Sequence, residues 1–354
     1  MLTAAVNHVT IFGIDLTIDS VAFKLPIGEN GWTVYWYGII IALGFVLALI
    51  YGYSNAKHFG VDTDRMLDVI LVATPCAILG ARLYYTIFPE NEFNRIDSVK
   101  EFFGLDGGGF SGLAIYGGII GAVVSGVIMA KIRKVKVLDL TDLASIGFLI
   151  GQGVGRWGNF FNQEAFGAPT GSSWWGMTSE NVITEFAKEG YDTTALAHPC
   201  FLYESIWCLV GVALLFFLSR KRRFSGETSL MYCVWYGLGR AIIEPMRTDS
   251  LRLFPIEIGN ALDSLNRVSF LVSVLICVSA LITLIVIYKK RKTAVTDKNY
   301  GEMFESVMES TIIVKDDDAE ELEEENAEET AEEATDEEIA EEVTEKTTDE
   351  SEEK

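Results

Sequence analysis

Arginine stands at four places where an apolar chain tolerates charge poorly. Arg82 interrupts the apolar block Val69–Phe88, and Arg240 lies inside Thr228–Ile243. Arg156 directly follows Leu143–Gly155, and Arg247 comes one short step after Arg240. Acids accompany them in Glu164, Glu204 and Glu244. A charge inside a membrane stretch marks a ligand site, an ion pair, or a side chain reaching for the interface. The guanidinium fork binds phosphate bidentately, so several arginines near one surface suit an anionic phosphate group. Structural ion pairs with these same acids are the competing account.

Three segments carry the arginines and their neighbours. Gly151–Gly167 reads GQGVGRWGNFFNQEAFG. On a helix, Arg156 and Asn159 share a face at i,i+3, and Gln163 follows at i+7. The run Gly153 to Gly158 also matches G-x-G-x-x-G, but no strand–helix unit surrounds it, so a dinucleotide site is set aside. In GRAIIEPMR, Gly239–Arg247, Arg240 and Glu244 stand at i,i+4 and can pair. Pro245 biases Glu244 away from helix, which places Arg247 just past a helix end. HPCFLYE, His198–Glu204, opens a further apolar block. Glu204 sits one turn inside it and calls for an arginine from another helix. Tyr37 follows Trp36 near the start of the first block, where belt anchoring is the simpler use of an aromatic pair.

Seven apolar blocks must position these groups: Val34–Tyr53, Val69–Phe88, Leu113–Ala130, Leu143–Gly155, Phe201–Leu218, Thr228–Ile243 and Val268–Tyr288. Those of 18 residues or more can cross about 30 Å of hydrocarbon as helices, while the fourth and sixth need polar flanks buried in a bundle. The expectation is an all-α polytopic membrane protein with seven transmembrane helices. Basic clusters follow block three (Lys131, Arg133, Lys134, Lys136), block five (Arg220–Arg223) and block seven (Lys289–Lys292). If every block spans, all three lie on one side, which is cytoplasmic by the positive-inside rule. The N-terminus is then outside and the C-terminus inside. Connections at roughly 89–112, 157–200 and 244–267 face out, and the arginines fall toward the outer half. Tyr116-Gly117-Gly118-Ile119-Ile120-Gly121 contains a G-x-x-x-G that lets helices approach closely. GLDGGGFSG, 104–112, reads as a flexible loop.

Half of the chain, 49%, is hydrophobic, yet its 354 residues carry a net charge of −22. Residues 301–354 alone hold 25 Asp/Glu and 3 Lys/Arg, so the remaining 300 are neutral. A membrane domain over 1–295 and an acidic, disordered cytoplasmic tail over 296–354 follow from that division. Nucleic acid is not an expected partner. Five cysteines without a C-x-x-C pair argue against a disulfide framework. Three dispersed histidines give no zinc signature, and neither metal nor cofactor is expected. The N-terminus lacks the basic and apolar regions of a cleaved signal peptide, and no repeat of 20–50 residues is present.

RWGNFFNQEAFG, the Tyr116-Gly117-Gly118 helix, HPCFLYE and YGLGRAIIEPMR together resemble the bacterial prolipoprotein diacylglyceryl transferases, over most of residues 30–290. That resemblance implies a multi-pass enzyme of the bacterial cell membrane. Its activity would move the diacylglyceryl group of phosphatidylglycerol to the lipobox cysteine thiol of a preprolipoprotein signal peptide, leaving a thioether and glycerol phosphate. Membrane lipids are its other partners. The family's essential arginines match Arg156 and Arg240, and its signature asparagine and acid match Asn159 and Glu164. Its first-helix tyrosine matches Tyr37, its fourth-helix aspartate Asp142, and its last motif Glu244 and Arg247. Gly117 and Gly118 belong to its glycine helix. Many members carry His-Gly-Gly where this chain has Tyr116-Gly117-Gly118, which puts a universal histidine base in doubt. Cys200-Phe201 replaces the usual small-residue–Gln pair after His-Pro.

On this basis Arg156 and Arg240 form a phosphate clamp, with Arg247 assisting and Asn159 positioning headgroup oxygens. Tyr116 takes the histidine's place as a hydrogen-bonding group, although a phenol of pKa about 10 is a poor base at neutral pH. Asp142, Glu204, His198 and Arg82 are supporting residues. Two other classes are considered. Gly109-Phe-Ser-Gly112 resembles the serine of an intramembrane protease, but it sits in a loop before a helix. A transporter would show inverted repeats or broken helices.

Overall fold

The computed structural model describes residues 7–26, 32–88, 102, 114–248 and 267–296. Two compact units make up the chain, Met1–Leu284 and Ile285–Lys354. The loop 104–112, the connection 89–112 apart from Phe102, all of 249–266, the Gly109–Gly112 serine motif and the acidic tail from 297 on lie outside the described residues.

Each apolar block becomes a helix: α1 (Trp36–Asn55), α2 (Thr63–Ile87), α3 (Ile115–Ile132), α4 (Val137–Asn162), α6 (Cys200–Ser219), α7 (Glu227–Ile243) and α8 (Val268–Thr296), with a short α5 at Glu180–Glu189. Six of the described helices are long and apolar enough to cross a membrane; α7, at 17 residues, is not among them. The fourth block grows from Leu143–Gly155 to 26 residues, because its polar flanks find partners inside the protein. The chain is a mostly helical, multi-pass membrane protein.

Small residues bring the helices together, as expected where hydrocarbon surrounds them. A Cβ at Gly117 or Gly121 of α3 would strike the backbone of Gly80 or Cys76 of α2. Gly44 of α1 faces Gly151 of α4, and Gly153 of α4 faces Cys208 of α6. Gly237 of α7 receives Ser273 and Cys277 of α8. Large apolar side chains point outward, among them Leu71, Val123, Phe217 and Leu275, as suits a lipid solvent.

Strands are the correction to the all-α expectation. β1 (Asn7–Ile11), β2 (Ile14–Ile18) and β5 (Met177–Ser179) form an antiparallel sheet in the order β2-β1-β5, and β3 (Val21–Leu25) pairs with β4 (Trp32–Tyr35). Phe12 and Gly13 both have positive φ, 52° and 76°, the two-residue turn that suits a tight hairpin. Val9, Ile18, Met177, Val182 and Phe186 share a core with Phe160 of α4 and Phe201 of α6. The sheet is therefore seated on the ends of the two helices that carry Arg156 and Glu204.

Candidate active site

Glu204 is the centre of the charged cluster. It is buried in the second turn of α6 and faces guanidiniums from three places. Arg156 Nη2 of α4 stands 2.5 Å from Oε2, Arg240 Nη1 of α7 2.9 Å from Oε1, and Arg247 Nη1, beyond α7, 3.1 Å from Oε1. Arg240 also pairs with Glu244 through its second terminal nitrogen. Arg156 differs from Arg240. Its side chain keeps 20% of its exposure, and its one polar contact among the described residues is Glu204, so Nε and Nη1 are available to a ligand.

Local backbone explains why these residues converge. At Pro245 the α7 helix tightens into a single 3-10 turn, Glu244–Met246, and Arg247 emerges extended. Gly167 then bridges to Arg247, with Ala168 N–H donating to Met246 O at 2.8 Å and Gly167 N–H to His198 O at 2.8 Å. A Cβ at Gly167 would stand 2.6 Å from Met246 O, so only glycine permits this closure. Arg267, just before α8, donates from Nη1 to Glu244 O at 2.6 Å and Arg247 O at 2.7 Å, fixing the backbone that presents Arg247.

Asn159 and Glu164 form the neighbouring polar pair. Helix α4 ends in a left-handed turn at Gln163, φ 55°, followed by a second at Ala165, φ 57°. Non-glycine residues held there cost on the order of 1 kcal/mol each. What the turn achieves is to fold Glu164 back, so that Asn159 Nδ2 donates to its Oε1 at 2.8 Å and Asn162 Nδ2 at 3.4 Å. Tyr37 lies against Gly158, where a side chain would overlap its ring, and feels the charges of Glu164 and Arg156.

Other expected residues stand apart from this cluster. Tyr116 is 56% exposed on α3, with the Tyr84 ring 6.3 Å away. Gly117 and Gly118 pack against Gly80 and Ala81 of α2. None of the polar contacts of Arg156, Arg240 or Glu204 is to these three. Arg82 is buried and donates from Nε to Phe102 O at 3.0 Å. His198 has Nδ1 3.2 Å from the Tyr203 hydroxyl, which also accepts from Trp175 Nε1 at 2.7 Å. Burial pushes the His198 imidazole pKa below its ordinary value.

Asp142 lies at the opposite end of α4, fully buried. Arg222 Nη1 and Gly226 N–H donate to its Oδ2, each at 2.8 Å. Ser229 N–H and hydroxyl donate to Oδ1 at 2.7 and 2.9 Å. Asp139 joins Arg222 at 2.7 Å. Burial alone would lower the Arg222 pKa, but hydrogen bonds to Asp142 and Asp139 outweigh it and raise it.

Six membrane-length helices and a charged interior at one end define a multi-pass membrane protein with a polar site. Comparison with known proteins supplies the family: residues 21–288 match the prolipoprotein diacylglyceryl transferases, and the chain belongs to that family. Phosphatidylglycerol–prolipoprotein diacylglyceryl transferases of Bacillus cereus and Bacillus anthracis are 38% and 37% identical to it over 289 residues, covering 80% of this chain and 97% of each relative. The Bacillus cytotoxicus enzyme of the same name is 36% identical over 285 residues.

Proposed function

We propose that this enzyme transfers the diacylglyceryl group of phosphatidylglycerol to the lipobox cysteine of a preprolipoprotein, at the arginine cluster around Glu204. The observation that carries the site is the sharing of one buried carboxylate by three guanidiniums, with Arg156 retaining free donors. Family membership carries the reaction. The cysteine sulfur forms a bond to the glyceryl carbon that bears the phosphate. The carbon–oxygen bond to phosphate breaks, its electron pair stays on that oxygen, and the thiol proton passes to base. Thioether and glycerol phosphate result.

Charge accumulates on the phosphate as the bond breaks, which is where prepositioned arginines act. Arg156 donates to phosphate oxygens separately from Nε and from Nη1, the groups its contact with Glu204 does not use. Arg240 and Arg247, held by Glu204 before substrate arrives, need little reorganisation to assist. A cationic surrounding also favours the thiolate over the thiol, whose ordinary pKa is near 8.5. Asn159 and Glu164 meet the headgroup hydroxyls, and Tyr37 closes that side. In this reading α7 spans together with the six longer helices, the N-terminus is outside the bacterial cell membrane, and the acidic residues 296–354 form a cytoplasmic tail without part in the chemistry.

Purified protein is incubated with radiolabelled phosphatidylglycerol and a lipobox peptide. Release of glycerol phosphate with a thioether-linked peptide is the expected result. Glycerol phosphate release that does not depend on the peptide cysteine would overturn the assignment.

A further inference from the structure

Trp207 of α6 and Trp235 of α7 are each followed, four residues later, by glycine: Gly211 and Gly239. The two W-x-x-x-G runs meet in antiparallel register. Each indole lies over the other helix's glycine, where a Cβ would overlap the ring nitrogen. The rings stack with centroids 4.4 Å apart and planes 16° from parallel. Trp207 Nε1 donates to Trp235 O at 3.0 Å, and Trp235 Nε1 donates to Trp207 O at 3.1 Å. The result is a reciprocal clasp of two hydrogen bonds, one stack and two glycine seats.

The clasp sits beside the arginine cluster. Gly239 directly precedes Arg240, and Trp207 follows Glu204 by one turn. Arg240 and Gly239 are neighbours on α7 and turn together, so the seat of the Trp207 ring on Gly239 fixes the rotation of α7 at which Arg240 meets Glu204. A screw displacement of either helix by one residue turns its tryptophan by 100° and breaks its indole donation to the facing carbonyl. Simple apolar packing has no such directional penalty.

We propose that Trp207 and Trp235 are positioning residues, which set the Arg240 guanidinium on Glu204 and so on the substrate phosphate. The proposal rests on the reading of Arg240 as a phosphate ligand. Its test measures kcat and KM for phosphatidylglycerol, per folded enzyme in detergent, well below each variant's Tm. Trp207→Phe and Trp235→Phe keep an aromatic ring but lose the N–H donation. Each is expected to lower kcat on the order of tenfold, as small misplacements of a catalytic group do, with KM little changed. Gly239→Ala is expected to lose more, and Trp207→Leu in the same chain to restore part of it by removing the ring the methyl strikes. Where Gly239→Ala does not fold, the two Phe variants decide. Arg240→Ala is the reference. Normal kcat in both Phe variants, with Tm lowered and Arg240→Ala inactive, would reduce the clasp to packing while leaving the phosphate reading intact. Full turnover by Arg240→Ala would overturn both.

Discussion

Helices α4, α6 and α7 bring charge together at both of their ends, and the two ends use it differently. At one end Asp142 receives four donors, two on each oxygen, and nothing is left over for a ligand. At the other, Glu204 holds three guanidiniums with two oxygens, and Arg156 keeps Nε and Nη1 uncommitted. A buried charge satisfied on every side ties elements together. A buried charge held with capacity to spare is a prepared site. The short connection from Arg220 to Gly226 closes the first cluster from the chain itself, whereas the second draws on α4, α6, α7 and the extended residue Arg247 after α7.

The largest effect expected from this contrast lies at the arginines. Arg156→Lys and Arg240→Lys keep the charge but lose the planar fork. Removing such a contact from a developing charge typically costs on the order of 100-fold in turnover. Both variants are expected to show that loss per folded enzyme, with Tm little altered, and Arg156→Ala and Arg240→Ala to release no detectable glycerol phosphate. Near-normal turnover in both lysine variants would make the Glu204 cluster as structural as the Asp142 cluster. The assay is product formation in detergent with thermal unfolding followed on the same samples.

Asp142 should show the reverse pattern. Asp142→Ala leaves Gly226 N–H and the Ser229 groups without their acceptor and Arg222 with Asp139 as its remaining carboxylate, and breaking a buried pair in this way costs about 3–5 kcal/mol. Asp142 and Arg156 are separated by about 21 Å along α4, at 1.5 Å per residue, so the chemistry should be spared. Lower Tm and poorer folded yield, with ordinary turnover by what does fold, is the expected outcome. Loss of turnover in well-folded Asp142→Ala would erase the distinction between the ends.

Periodicity and block length made most of this architecture legible, because a membrane helix must satisfy its own backbone and show a long apolar run. The G-x-x-x-G helix was equally plain, and Gly117 and Gly121 meet α2 as such a stripe does. Less legible were the elements held by distant partners. β5 has three residues and joins β1 from more than 160 positions away, so no local alternation announces it. The left-handed Phe12 is tolerated where its ring lies 4.5 Å from Trp175, again a remote contact. Charged blocks showed that partners were needed and, through the i,i+4 spacing, named the Arg240–Glu244 pair that forms, without saying which arginine would reach Glu204. Among the described residues Glu204 meets three arginines, more than the single inter-helix partner its sequence position asked for, while Glu164 turns to Asn159 and Asn162. Arg267 drew no notice and Arg222 counted only within the basic cluster Arg220–Arg223, since each stands beside an apolar block as any flanking cation does.

The smallest effect is expected at Tyr116, the position where the family commonly carries histidine. Its side chain is on α3, which packs through glycines on α2, and its nearest ring is Tyr84. Among the described residues its hydroxyl has no hydrogen-bond partner, and neither Arg156 nor Glu204 touches it. A group so placed contributes little until substrate reaches it, and a single neutral hydrogen bond is worth about 1 kcal/mol, or roughly fivefold in rate. Tyr116→Phe is therefore expected to keep turnover within about fivefold, and Tyr116→His to stay active across neutral pH. Should Phe fall as far as Arg156→Lys, the hydroxyl belongs with the arginines and α3 is a wall of the site. In that case His should recover activity with a pH profile following its imidazole, a signature that tyrosine, with a pKa near 10, cannot give.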